Sequence, residues 1–191
     1  IRVPLPAAIE PGQTLTLEVE FTSKLPEIIE RTGYSGDFHF VGQWFPKLAR
    51  RERDGSWVHF PFHPQAEFYA DFGRYDLTLD VPDPMVVGAT GVRVEEGRAG
   101  GRLIVRHVAD SVHDFAWTAW PHFQQRTERI DDVEVRLLYP PGHDQSYERM
   151  RESLQLALPR LNRLYGRYPH AVLTVVHPPE HAKNAGGMEY P

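Results

Sequence analysis

Hydrophobic and polar positions alternate along much of the first two-thirds of the chain. Between Gln13 and Thr22, Leu15, Leu17, Val19 and Phe21 fall on one side and Thr14, Thr16, Glu18 and Glu20 on the other. Arg74 to Val81 repeats the pattern with Tyr75, Leu77, Leu79 and Val81. A period of two sends successive side chains to opposite faces of a pleated strand, so both segments predict half-buried strands. Shorter runs at 38–44, 56–62, 85–89, 101–108, 111–119 and 122–129 predict more strands. Turn clusters such as Pro82-Asp83-Pro84 and Gly97-Arg98-Ala99-Gly100-Gly101 separate them. Many short strands with no helix between them predict a mainly β unit, an antiparallel sandwich or saddle.

The pattern changes after about residue 130. Asp132 to Tyr139 reads as a strand ended by Pro140-Pro141-Gly142. Across 144–165, Tyr147, Met150, Leu154, Leu158, Leu161 and Tyr165 recur at steps of three or four, which predicts one amphipathic helix. Asp144 is placed to cap its start and Gly166 to end it, while Pro159 is expected to kink or split it. A further strand is predicted at 171–177. Strand, helix and strand look like the opening of a second unit, which divides the chain into 1–130 and 131–191.

Composition adds bounds. The 191 residues suffice for one full core or two small ones, and 41% hydrophobic with 25% charged content is ordinary for a globular protein. A net charge of −5 carries no basic footprint, so no nucleic-acid partner is expected. No apolar run approaches the roughly 20 residues that span a bilayer. Cysteine is absent, so disulfides and thiolate metal ligands are ruled out, and the compartment stays open between periplasm and cytoplasm. The chain opens on Ile1 without a signal-peptide pattern, as expected of one whose natural N-terminus has been removed.

Several motifs fail on their own chemistry. His177-Pro178-Pro179-Glu180-His181 spells an inverted zinc motif, which needs a helix to bring both imidazoles to one face. Two consecutive prolines cannot sit in a helix interior, so a loop leaving a strand is expected. His59 and His63 flank Phe60-Pro61-Phe62, which is not helical either. Gly33-Tyr34-Ser35-Gly36-Asp37 has Asp where a nucleophile elbow needs Gly. Arg50-Arg51-Glu52-Arg53-Asp54 reads as a solvated hairpin tip. Trp44, Trp57, Trp117 and Trp120 could form a sugar-stacking platform, but an aromatic core is the better reading of aromatics on β segments.

The informative segment is Gly186-Gly187-Met188-Glu189-Tyr190-Pro191. Glycines let a ligand backbone approach closely, and a carboxylate two residues on can hold an ammonium group. This segment resembles the exopeptidase motif of the aminopeptidase N family of zinc metallopeptidases (gluzincins), in the branch that reads Gly-Gly-Met-Glu-Tyr-Pro. Other segments resemble the same family in order along the chain. They are Pro11-Gly12-Gln13, Gly42-Gln43-Trp44-Phe45-Pro46-Lys47, Glu67-Phe68 through Gly73, Tyr75 to Pro82, and His113-Asp114-Phe115-Ala116-Trp117.

The resemblance implies a β-rich first domain over 1–130, lacking its first strands, and over 131–191 the start of a thermolysin-like α+β catalytic domain. It implies that Glu189 binds the free α-amine of a peptide while Gly186, Gly187 and Met188 present backbone groups to it as to an added strand. Gln43 has two readings, a glutamine lining the amine pocket or a strand residue beside a core Trp44. Glu67 claims the former role with less support.

The family's zinc is held by His-Glu-x-x-His and a later Glu, downstream of this segment and outside 1–191. The parent would be a zinc aminopeptidase, a hydrolase, whereas this chain alone is expected to hold no metal and cleave nothing. Two alternatives stay open: a β-sandwich binding or scaffold protein, and a family member that has lost its zinc ligands and serves protein interaction.

Overall fold

The computed structural model describes residues 1–61, 63, 69–187 and 189. It is mainly β, with antiparallel sheets and one long helix. The first strands are β1 (Thr32–Ser35), β2 (Phe38–Val41), β3 (Arg50–Arg51) and β4 (Trp57–Val58), followed by β5 (Gly73–Pro82) and β6 (Val86–Ala89). Then come β7 (Val92–Ala99), β8 (Arg102–Val112), β9 (Trp117–Trp120), β10 (Gln124–Ile130) and β11 (Val133–Tyr139). Helix α1 (Asp144–Tyr165) and β12 (Val172–Val176) complete the order, with a short 3-10 turn at Glu180–Ala182.

Three sheets organise ten of these strands, and β3 and β4 pair with each other. A front sheet runs β1-β2-β9-β6 and an outer sheet β5-β8-β7. A rear sheet runs β10-β11-β12, antiparallel between β10 and β11 and parallel between β11 and β12. The parallel pair needs a crossover, and α1 supplies it. The change of pattern near residue 130 falls in the β10–β11 turn, so its two flanks share one sheet. Arg50–Val58 is a two-stranded hairpin, in which Arg50 and Arg51 of the charged run form β3 and Glu52, Arg53 and Asp54 lie in its tip.

Three cores hold the layers together. Leu79, Leu103, Val105, Phe115, Val87 and Ala119 close the outer sheet against the front one. On the rear sheet Val133, Val135, Leu137 and Tyr139 pack against Tyr147 and Leu158 of α1. The third cluster joins Phe38 and Trp120 of the front sheet, and Phe123 in the link after β9, to Leu138 of β11 and to Ala182 and Ala185, close to the Gly-Gly pair. The front and rear sheets approach closely at Gly88. A Cβ there would come 2.4 Å from Leu138 Cδ1, 3.1 Å from Thr174 Cγ2 and 3.2 Å from Thr118 Cγ2.

Some sequence expectations are corrected. Residues 13–22 form no strand, and Leu15, Leu17, Val19 and Phe21 are 44–60% exposed. Alternation prepares one face for burial, but a strand also needs an edge to bond, and residues 13–22 pair with no strand among the described residues. The run expected at 111–119 breaks at 113–116, between β8 and β9. Strand β7 was not expected, because its exposed residues carry little apolar signal. The expected strand at 56–62 shrinks to β4, and Phe62 lies outside the described residues.

Helix α1 keeps its expected span, but His143 rather than Asp144 is the N-cap and makes no side-chain cap bond. Pro159 does not split it, because only one main-chain donor is missing from a helix of 22 residues. Gly166 caps its C-terminus, donating its N–H to Asn162 O at 3.1 Å.

His107 of β8 is fully buried beside Phe115, and Arg93 Nε lies 3.5 Å from its Nε2. Burial lowers its pKa from 6.5 to about 4, and the guanidiniums of Arg93 and Arg136 push the same way. The unfolded chain therefore binds one more proton than the native one between those values, so stability falls as pH falls through that window. Relative to His107→Phe, the native protein should lose on the order of 3 kcal/mol between pH 6.5 and 4 in urea unfolding. Parallel pH profiles for the two proteins would contradict this. Gly88→Ala should cost about 1–3 kcal/mol by overpacking the sheet junction. Gly97→Ala, with open space around its Cβ, should stay within about 0.5 kcal/mol.

Candidate functional site

The Gly-Gly segment reaches its place through an approach tethered to β1 and to Glu30. After β12, Pro178-Pro179 lead into the 3-10 turn, whose Ala182 is buried in the aromatic core. Ser35 Oγ–H donates to His181 O at 2.9 Å, which ties the turn to β1. Glu30 then brackets the next residues. Its N–H donates to Asn184 O at 3.1 Å and its carbonyl accepts Gly186 N–H at 3.0 Å, a parallel bridge to Ala185. Gly187 follows at φ +64°, a left-handed conformation that costs glycine little.

Glu189 is exposed, and Arg31 Nη2 lies 3.8 Å from its Oε2. A loose pair in solvent is weak and leaves the carboxylate available. Gly186, Gly187 and Glu189 line one groove of about 300 Å3, whose walls are β12 and the ends of β6 and β9. Gly88 to Gly91, Trp117 and Thr118 form the wall opposite β12. Met188 and Glu67 lie outside the described residues.

Gln43 does not line this groove. It sits at φ 53° with its Nε2–H donating to Asp114, a fully buried carboxylate that also accepts Phe115 N–H at 2.8 Å. Lys47 Nζ closes the network, 2.9 Å from Asp114 Oδ2 and 2.8 Å from Gln43 Oε1. A charge removed from water requires such company. Trp44 lies beside this network, its Nε1–H donating to Phe115 O at 2.9 Å.

The remaining motifs have structural partners. His177 Nε2 lies 2.9 Å from His143 Nδ1, linking the end of β12 to the start of α1. Burial first, then His143, lowers the His177 pKa, while Glu180 opposes the shift. The two histidines stand 34 residues apart, a spacing no local pattern marks. His181 packs near Trp120 instead. The Ser35 hydroxyl is committed to His181 O, and Asp37 accepts Trp120 Nε1–H at 2.8 Å. Trp44 and Trp117 meet at 89°, so they form no flat platform. Among the described residues no three His, Asp or Glu side chains group as a metal set, and no helix is long and apolar enough to cross a membrane.

No protein-family profile matches the chain, and no curated protein matches it. Among solved structures it is similar to aminopeptidase A of Legionella pneumophila, crystallised in complex with aspartic acid. The TM-score is 0.50 at 18% identity, over 58% of this chain and 14% of that one. The likeness is one of fold. A second similar structure is a mutant two-domain M1 zinc metallopeptidase bound to L-arginine. It scores 0.43 at 18% identity, covering 56% of this chain and 26% of that one. This chain thus spans about a seventh of the first protein and a quarter of the second.

The buried network generates a stability prediction. Lys47→Met should cost about 3–5 kcal/mol in denaturant unfolding, because Asp114 keeps its burial and loses its cation. The double variant Lys47→Met/Asp114→Leu should recover part of that loss. Equal loss in both would show that packing, not charge, dominates there.

Proposed function

We propose that the chain is a front portion of a zinc aminopeptidase of the aminopeptidase N family, in the branch that reads Gly-Gly-Met-Glu-Tyr-Pro. In this reading Glu189 anchors the free α-amine of a peptide, and the Gly186-Gly187 segment lies against its backbone. The observation that carries the reading is the convergence of Gly186, Gly187 and an accessible carboxylate on one groove. Holding the ammonium at one end of a cleft restricts a peptidase to the first peptide bond. A charge-assisted hydrogen bond contributes about 1.5–3 kcal/mol, toward the lower end where solvent reaches the carboxylate.

The first 130 residues would buttress the cleft, and 131–191 would open the catalytic unit. The family's zinc would activate the attacking water, held by residues other than those described here. This chain's own contribution is binding and orientation, so by itself it should not hydrolyse peptides. The likeness to an aminopeptidase A fold supports the reading at the level of architecture.

Titration of the chain with a short free-amine peptide, followed by amide chemical shifts, tests the assignment. Glu189→Gln should weaken binding roughly ten-fold, consistent with one exposed charge-assisted contact. N-acetylation of the peptide should weaken binding to the native chain by a similar factor and change little for the variant. Equal affinity of the native chain for both peptides would remove Glu189 from this role.

A further inference from the structure

Two half-buried imidazoles meet where β12 leaves the rear sheet. His177 closes that strand, its N–H donating to Leu138 O at 2.8 Å, and Pro178 and Pro179 follow it without N–H groups of their own. His143 holds the start of α1, its carbonyl accepting the N–H of Ser146 at 2.9 Å and of Tyr147 at 3.1 Å. Both backbones are thus anchored, and the 2.9 Å contact of His143 Nδ1 with His177 Nε2 ties them together through side chains.

A contact between two ring nitrogens needs one donor and one acceptor, so it is sensitive to the number of protons on the pair. With both rings neutral, one facing nitrogen carries hydrogen and the other a lone pair. A first added proton goes to the outer nitrogen of the donor ring. The contact then becomes a charge-assisted bond from imidazolium to imidazole. A second proton finds only the accepting nitrogen, so both facing nitrogens carry hydrogen and both rings carry charge. Acceptor and attraction are lost in one step.

The surroundings offer little to offset that second charge. Asp144, next to His143, lies 3.8 Å from Arg126 Nη2, and the same guanidinium donates Nε–H to Tyr139 Oη and lies over the Tyr147 ring. Tyr147 donates its hydroxyl to Glu128. On the turn after β12, Glu180 favours charge on His177, but its carboxylate is exposed and lies 3.6 Å from Lys183 Nζ. His181 packs near Trp120. Burial and His143 outweigh Glu180 and lower the His177 pKa from 6.5.

We propose that His143 and His177 form a proton-counting latch on the exit of β12, closed with no proton or one added and open with two. Opening loosens 178–182, the approach to the Gly-Gly segment, with Ser35 Oγ–H on His181 O left as its tether. The rear sheet and α1 keep their own bonds. The open form binds one more proton than the closed one, so acid favours opening and rising pH restores the contact. The latch goes beyond the amine-anchor reading and stands whether or not Glu189 binds an amine.

Imidazole nitrogen shifts of the full chain, followed from about pH 8 to 4.5, test the latch together with amide exchange corrected for its intrinsic pH dependence. His143 and His177 should titrate in two linked steps. Across the second step the His177 and Ala182 amides should exchange roughly ten-fold faster, while Val135 and Leu137 inside the rear sheet should not follow. In His143→Gln, which keeps a neutral hydrogen-bonding group, His177 should titrate in one step, at higher pH than in the native chain. The acceleration at Ala182 should vanish there and in His177→Gln. Repeating the comparison in a His107→Phe background removes the acid loss of stability that His107 brings. Independent single-site titrations of the two rings would overturn the proposal, as would equal acceleration in the native chain and both variants. Acceleration that reaches Val135 and Leu137 equally in the His107→Phe background would also overturn it, because the whole sheet would then be opening.

Discussion

The end of strand β11, Leu137 to Tyr139, is buried on both faces, and the arrangement of the second half of the chain follows from that. Val135, Leu137, Leu138 and Tyr139 are each at most 1% exposed. Period two sends Leu137 to the helix and Leu138 to the front sheet, so one strand fixes two layers at once. Its parallel bond to β12 then sets the height at which the chain leaves the sheet. Gly88 is the matching concession from the front sheet, since any larger residue would press on Leu138.

The parts of this arrangement visible in the sequence are those with a strong local period. Arg74 to Val81 became the body of β5, and 144–165 became α1, because one side of each repeat packs on the core, at Leu79 in the strand and at Tyr147 and Leu158 in the helix. The helix also shows the limit of that signal. Tyr147 and Leu158 are buried, while Leu161 and Tyr165 belong to the same stripe and remain exposed. Residues 13–22 show it more sharply, because their alternation is the cleanest in the chain and finds no strand to bond. A pattern reports a face prepared for burial, whereas pairing is a property of the partner.

The chemistry of the site was legible to a similar degree. Gly186, Gly187 and Glu189 stand close in sequence, so a motif could name them, and the fold places them on one groove. Gln43 was named by the same resemblance, yet its nearest chemistry is Asp114, 71 residues away. The pairing of His143 with His177 and the buried Asp114–Lys47 contact left no trace in the sequence. Contacts between distant residues are set by topology, and no local spacing encodes them.

The anchoring of the Gly-Gly segment has a consequence for the order of assembly. Ser35 and His181, which hold the approach to it, lie 146 residues apart, and Glu30 grips the stretch just beyond. Closing so long a loop brings an entropic cost before any bond forms, and such contacts are made late in folding. The helix and the β7–β8 and β10–β11 hairpins are local enough to form early. The edge that carries Glu189 would therefore be completed last, after both of its distant supports have been synthesised and the layers beneath it have closed.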